Sequence, residues 1–218
     1  MSNKEGGLSA LTASWSHPSR GALFVVSGAS GSGKTTLLHA AFAAIPGLEF
    51  SVSATTRGMR PGERDGVDYH FVSRDHFRGL KERGELLEHA SVYENDYGTP
   101  REPVDRALAE GRSIVLDIDV QGARQVRTAH PEAVSVFILA PSRAAMEARL
   151  RGRGDAPEVV ARRMGMADGQ LAGAAEYDYL VLNDDIGAAH AQFQAVFAAE
   201  LLRTERRRKW ISAVLPGF

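Results

Sequence analysis

The chain has 218 residues, 44% of them hydrophobic and 24% charged, with a formal net charge of −1. That balance fits one globular domain with a sizeable core, and it excludes a chain-wide field that would attract nucleic acid or an anionic membrane. There is no cysteine, which removes disulfides, thiolate zinc sites and a cysteine nucleophile, and the seven histidines show no HxxxH or HExxH spacing.

The N-terminal stretch MSNKEGGLSALTASWSHPSRG is rich in Gly, Ser and Thr and reads as a flexible arm over residues 1–20. It has no continuous apolar segment and no run long enough to span a bilayer, so the expectation is a cytoplasmic enzyme with no membrane partner. Ala22–Ser27 is a continuous apolar run and predicts a buried strand, then a glycine loop, then a helix over about Lys34–Ala44. Phe50–Thr55 predicts a strand ended by the loop TTRGMRPGERDG, and Asp68–Val72 a short strand. Arg74–Arg83 predicts a helix, Leu86–Tyr93 an alternating strand, and Glu102–Glu110 a helix closed by Gly111. SIVLDID (113–119) reads as a second buried strand and Val134–Ala140 as a third, followed by Pro141-Ser142 and a helix. Tyr179–Leu182 is a fourth, and Phe193, Val196, Phe197 and Leu201 recur at helical spacing in what reads as the last helix. Alternation of strand and helix argues for an α/β fold with a parallel sheet flanked by helices. The short strands between about 50 and 98 break that rhythm and read as a small lobe inserted into the core.

Residues 28–36, GASGSGKTT, contain the pattern G-x-x-x-x-G-K-[ST] in Gly28, Gly33, Lys34 and Thr35. Glycines let successive backbone N–H groups turn inward, and the following helix adds its N-terminal dipole, so the segment predicts a phosphate cradle. Lys34 reaches the β- and γ-phosphates and the Thr35 hydroxyl can ligate magnesium. A pattern this short arises by chance in about one chain in a hundred of this length. Here a strand precedes it and a helix follows, as the cradle requires. The strand SIVLDID would present Asp117 and Asp119 at the carboxyl edge of the sheet, one holding magnesium directly or through water, the other free to cap the next helix.

A phosphate loop alone fits a switch GTPase, a motor ATPase or a small-molecule kinase. No NKxD base-reading motif is present. A kinase must neutralise two sets of phosphates and exclude water, which calls for arginines at two places. Arg57 and Arg60 lie in TTRGMRPGE. Arg149, Arg151 and Arg153 lie in RLRGRG, on a glycine-broken stretch between helices suited to a closing lid, with Arg162 and Arg163 downstream. Arg151 and Arg162 read as solvated surface charges. The run Arg206-Arg207-Arg208-Lys209 reads as a solvated helix end rather than a nucleic-acid patch.

The segments SVSATTRGMRPGERDGVDYHFV, LLEHASVYENDYGT, VLDIDVQGARQV, RLRGRG and YDYLVLNDD resemble guanylate kinase in its bacterial form, in order from about residue 22 to 210. The resemblance implies transfer of the γ-phosphate of ATP to GMP, and to dGMP, with Mg2+. It implies a P-loop NTPase core over about 21–50 and 100–218, an inserted small mixed-β GMP-binding lobe over about 51–99 and a lid over about 150–167. On the family pattern the ATP site comprises Gly28, Ala29, Ser30, Gly31, Ser32, Gly33, Lys34, Thr35 and Thr36, with Asn183 near adenine. Ser53, Glu88 and Thr99 surround guanine, while Arg57, Arg60, Tyr69 and Tyr97, beside Gly98, hold the GMP phosphate. Asp117 lies on the GMP side and Asp119 near magnesium with Thr35. Arg149, Arg153 and Arg163 close on the ATP phosphates and join Lys34 and Arg57 as the catalytic cations. Asp96 stands where the family has the first of two tyrosines, and Ala29 where proline is common.

The chemistry of Glu88 suits this role. Guanine presents two adjacent donors that one carboxylate can accept, whereas adenine presents an acceptor at the same edge. A sugar-phosphate kinase would need no such reader. A non-catalytic interaction module of the same fold would be expected to lose the glycine loop that is intact here.

Overall fold

In the computed structural model, which describes residues 20–92 and 94–215, the chain begins with β1 (Leu23–Gly28), the glycine loop, α1 (Lys34–Ala44) and β2 (Leu48–Phe50). There follow β3 (Ala54–Thr55), β4 (His70–Phe71), α2 (Arg74–Glu82), β5 (Leu86–Val92), β6 (Asn95–Pro100) and α3 (Arg101–Ala109). Next come β7 (Ser113–Asp117), α4 (Val120–Ala129), β8 (Val134–Leu139), α5 (Arg143–Gly152) and α6 (Pro157–Ala172). The chain closes with β9 (Tyr179–Leu182), α7 (Ile186–Leu201) and α8 (Arg208–Val214). The arm expected over 1–20 lies outside the described residues apart from Arg20.

The strands form two sheets. A five-stranded parallel sheet has the order β2-β7-β1-β8-β9. A four-stranded mixed sheet has the order β4-β3-β6-β5, with β3 antiparallel to β6 and parallel to β4. β1 is apolar from Leu23 to Val26 because it is central and covered on both faces, and the buried Ser27 hydroxyl donates to the Ile118 carbonyl. The side chains of β1 alternate. Phe24 and Val26 pack with Leu37, Leu38, Phe193 and Phe197 of α1 and α7. Leu23 and Val25 pack with Val104, Leu108, Ala123 and Val126 of α3 and α4 on the other face. The mixed sheet has its own small core of Ala54, Phe77 and Leu86.

Several expectations are corrected. Phe50–Thr55 is not one strand: Phe50 ends β2 in the parallel sheet, and Ala54 and Thr55 pair in the mixed one. SIVLDID is extended only to Asp117, since Asp119 already caps α4 by accepting from the Gly122 N–H. NDYGTP is a strand although its composition is poor for one, because β3 and β5 pair with it from both sides. RLRGRG breaks the helices only at its end, where Gly154 (φ 80°) lies between α5 and α6. Arg149 and Arg151 continue α5, whose buried Met146 and Leu150 anchor it, and Arg153 is its C-cap. α7 is followed by one more helix. The basic run is not a solvated end either. Arg206 and Arg207 are 5% and 6% exposed. Arg206 donates to the carbonyls of Glu200 and Gly21, and Arg207 to that of Leu201.

Candidate active site

A cleft of about 930 Å3 opens between the carboxyl edge of the parallel sheet, the mixed sheet and α6. Gly28–Thr35 form one wall, and Ser53, Arg57, Arg60, Tyr69, Glu88 and Tyr97 another. Asp117 and Asp119 lie along the cleft, and Arg153, Arg162 and Arg163 complete the lining from the α5–α6 side. Arg162 is exposed, as its reading as a solvated charge expects, and it also borders the cleft. Arg151 does stand outside, paired with Glu147 at 2.6 Å.

The loop wall is shaped for an anion. α1 starts at Gly33 in the left-handed region (φ 89°), with no side-chain cap on its first N–H groups. α3 and α6 are also without a side-chain cap, but α1 is the helix whose uncapped first turn follows a glycine loop and opens on the cleft. The Ser32 hydroxyl is buried with no hydrogen-bond partner. Below the loop, Asn183 is 3% exposed and its Nδ2 donates to the Ser32 carbonyl at 2.7 Å. That amide occupies the place a Cβ on Gly33 would need. Arg149 donates to the carbonyls of Gly31, Ser32 and Asn183. The structure thus places Arg149 and Asn183 under the loop as its props, not among the residues lining the cleft. Thr36 lies in the exposed first turn of α1.

Lys34 ion-pairs with Asp117 across the cleft floor. Burial pushes its ammonium down to about 8, against the opposing pull of Asp119. Asp119 accepts from the Gly122 N–H at 2.9 Å. The helix-capping alternative is therefore realised at Asp119, and Asp117 holds the lysine.

On the mixed-sheet wall, Glu88 is 4% exposed, and its Oε1 accepts from the Thr99 hydroxyl at 2.7 Å. Burial raises its carboxyl to about 7; Thr99 opposes the rise and the charge of Asp119 adds to it. Thr99 and Gly98 are buried in β6, opposite Glu88 and His89 of β5. Arg57 is held by both oxygens of Glu63, at 2.8 and 3.0 Å, and by the Gly58 carbonyl. Its guanidinium lies 5.3 Å from the centre of the Tyr69 ring, which meets Tyr97 edge-on. Glu63 also accepts from the Arg60 N–H, which ties the two arginines of the loop together. The Asp96 carboxylate accepts from the Ser91 hydroxyl, its carbonyl accepts from the Thr55 hydroxyl and its N–H donates to the Thr56 hydroxyl, stitching β5, β6 and the loop after β3.

Sequence reasoning missed Glu63, Gln170 and Met166. Glu63 had a signal, an acid six residues after Arg57 within one turn-rich loop. Gln170 and Met166 reach the cleft from the helical face of α6, whose orientation is set by packing on Ala29, Ala140 and Met146.

Residues 20–200 match the family model described as guanylate kinase. The guanylate kinase of Alkalilimnicola ehrlichii is 49% identical over 196 residues, spanning 89% of this chain and 97% of that protein. The guanylate kinase of Vibrio cholerae is 47% identical over 202 residues, or 91% and 98% of the two chains. The crystal structure of guanylate kinase from Anaplasma phagocytophilum superposes with a TM-score of 0.71 at 33% identity, covering 91% of this chain and 97% of that one.

Proposed function

The chain belongs to the guanylate kinase family, and on that premise we propose how its cleft divides the work between two nucleotides. The activity is that of an ATP:GMP phosphotransferase. The observation that carries the assignment of roles is that one cleft is lined by both the uncapped loop at the start of α1 and the buried carboxyl of Glu88. The parts of the chain are a P-loop core over about 21–50 and 100–218, a GMP-binding lobe over about 51–99 and a lid over about 150–167. We place the enzyme in the cytoplasm with its substrates. Among the described residues, no helix is long and apolar enough to cross a membrane.

In this reading Gly28–Thr36 wrap the β- and γ-phosphates of ATP, with Asn183 and Arg149 fixing the loop's shape from below. Glu88 accepts from the N1–H and 2-amino groups of guanine, oriented by Thr99, with Ser53 beside it. Arg57, Arg60, Tyr69 and Tyr97 present donors to the GMP phosphate, with Gly98 giving the strand close approach. An oxygen of that phosphate attacks the γ-phosphorus as the bond to the ADP oxygen breaks. Lys34, Arg153 and Arg163 neutralise the charge on the transferring group. Asp117 holds Lys34 in place between the two nucleotides.

Thr35 and Asp119 face the cleft, while no group of three or more His, Asp or Glu side chains converges among the described residues. Magnesium is commonly held by one or two protein oxygens plus substrate phosphates and water, so this donor set fits an ion that arrives with ATP. Bound there, Mg2+ would be held by Thr35 and Asp119 and would supply positive charge against the phosphates. Asp119 would act through its oxygen not engaged by Gly122, or through water.

The test is a panel of GMP, dGMP, AMP, CMP and UMP with ATP and Mg2+, read as ADP formed. Turnover with GMP and dGMP, far above the others, is expected. Comparable rates on AMP would overturn the assignment of Glu88 as the base reader.

A further inference from the structure

The carboxyl of Glu88 does not sit on its own sheet alone. Its Oε1 is held by Thr99, and its Oε2 lies against the first turn of α4, over Gly122. A Cβ at Gly122 would collide with Oε2, fall 3.0 Å from Cδ, and come within 3.5 Å of Asp119 Oδ1. The N–H of this same glycine donates to Asp119. Gly122 is buried and lies inside the helix without a positive φ, so neither turn geometry nor backbone strain calls for glycine there. On the next turn, Gln125 holds the backbone of His89, the neighbour of Glu88. Its Oε1 accepts from the His89 N–H at 3.1 Å, and its Nε2 donates to the His89 carbonyl at 2.7 Å. One helix of the parallel core therefore both clamps the strand that carries Glu88 and leaves a notch for its carboxylate.

We propose that Gly122 and Gln125 of α4 position Glu88 and thereby set guanine specificity, although neither touches the base. Gly122 supplies the space and Gln125 the register. The proposal rests on the reading of Glu88 as the guanine acceptor. Alanine at 122 would push the buried carboxylate off its line toward the base, because Oε1 is tied to Thr99 and β5 is clamped. A displacement near 1 Å at such a contact can cost about a hundredfold. Alanine is a better helix former than glycine, so the helix itself is not weakened.

The experiment is steady-state kinetics of the full chain with ATP and Mg2+ on GMP and AMP. It compares the unaltered chain, Gly122→Ala, Gln125→Leu, Glu88→Asp and the Gly122→Ala/Glu88→Asp double variant. Gly122→Ala should raise KM for GMP about ten- to hundredfold and narrow the preference over AMP. KM for ATP should stay within about twofold, the scale of additivity error for independent sites. Gln125→Leu should shift KM for GMP in the same direction by a smaller factor. In the Glu88→Asp background the shorter carboxylate clears the notch, so adding Gly122→Ala should change KM for GMP by no more than about twofold. A GMP KM unchanged in Gly122→Ala overturns the proposal, as does an equal penalty in both backgrounds or a matched rise in both KM values. If Gly122→Ala does not fold, an unchanged GMP KM in Gln125→Leu overturns it. Failure of the unaltered chain to phosphorylate GMP, or unchanged GMP kinetics in Glu88→Asp, would instead bring down the underlying reading, and the proposal with it.

Discussion

At the phosphate-loop end of the cleft, the structure offers a bare helix N-terminus whose shape is fixed by groups outside the cleft, Asn183 and Arg149. At the mixed-sheet end it offers side chains already engaged with one another, Arg57 with Glu63 and Glu88 with Thr99. The first arrangement is set before a nucleotide arrives. The second is oriented by contacts among the very side chains that line the cleft or flank it. In the reading proposed above, the loop end grips phosphate and discrimination between guanine and adenine falls to the Glu88 end, where a mismatched base leaves buried groups unpaired.

The sharpest way to break this contrast is Lys34→Ala. Lys34 lines the cleft, and in the proposed reading its ammonium meets the transferring group, so kcat should fall by about a thousandfold or more with the circular dichroism spectrum unchanged. Activity within tenfold of the unaltered chain would remove the loop from the chemistry.

Glu88→Gln comes next. It keeps the shape but turns one acceptor into a donor facing a donor, at a cost of about 2–4 kcal/mol, or roughly 30- to 1,000-fold in kcat/KM for GMP. KM for ATP should not move, and discrimination against AMP should narrow. An equal loss on GMP and AMP would make Glu88 a structural group.

The titration of Glu88 sharpens the comparison further. Its carboxyl is raised to about 7 by burial, so below that pH the free enzyme carries the neutral acid, which cannot accept both guanine donors. kcat/KM for GMP should fall about tenfold per pH unit there, and the fall should vanish in Glu88→Gln. The stability effect has the opposite direction. A carboxyl raised in the folded state stabilises the fold below its ordinary range and loses that contribution as pH rises through about 7. Denaturant midpoints of Glu88→Gln relative to the unaltered chain should therefore be higher at pH 8 than at pH 5. A pH-independent difference would show that burial does not penalise the charge.

The smallest effect is expected at Glu63. The guanidinium of Arg57 keeps its contacts with Gly58 and Tyr69 when Glu63 is neutralised, so Glu63→Gln should lower kcat/KM for GMP by about three- to tenfold through lost orientation alone. A change in KM for ATP of the same size would mean that the two ends are not separable.

The same contrast governs what the sequence discloses. The loop wall was legible because its residues are contiguous and lie between an apolar run and a helix. Glu88, Thr99, Tyr69 and Tyr97 are scattered over short strands without strong periodicity, and the family resemblance alone picked them out. The props could not be read. Arg149 looks like a mobile charge beside glycines until Met146 and Leu150 show which side of α5 is buried. Arg206 and Arg207 look solvated until the ends of α7 and β1 are brought together by the fold. β6 was missed because Asn, Asp, Gly and Pro argue against a strand, and only pairing on both sides makes it one.

The sheet order has a consequence for the chain as it leaves the ribosome. β1 carries the phosphate loop but lies between β7 and β8, so its neighbours begin at Ser113 and Val134. Its near end is fastened through Gly21 by Arg206. The mixed sheet, by contrast, draws all its strands from one continuous stretch, Ala54–Pro100. The mixed sheet can thus be paired while β1 still waits for strands not yet synthesised. The strand that leads into the glycine loop is made first and enclosed late, an interval in which an unpaired apolar strand is open to aggregation and to chaperone capture.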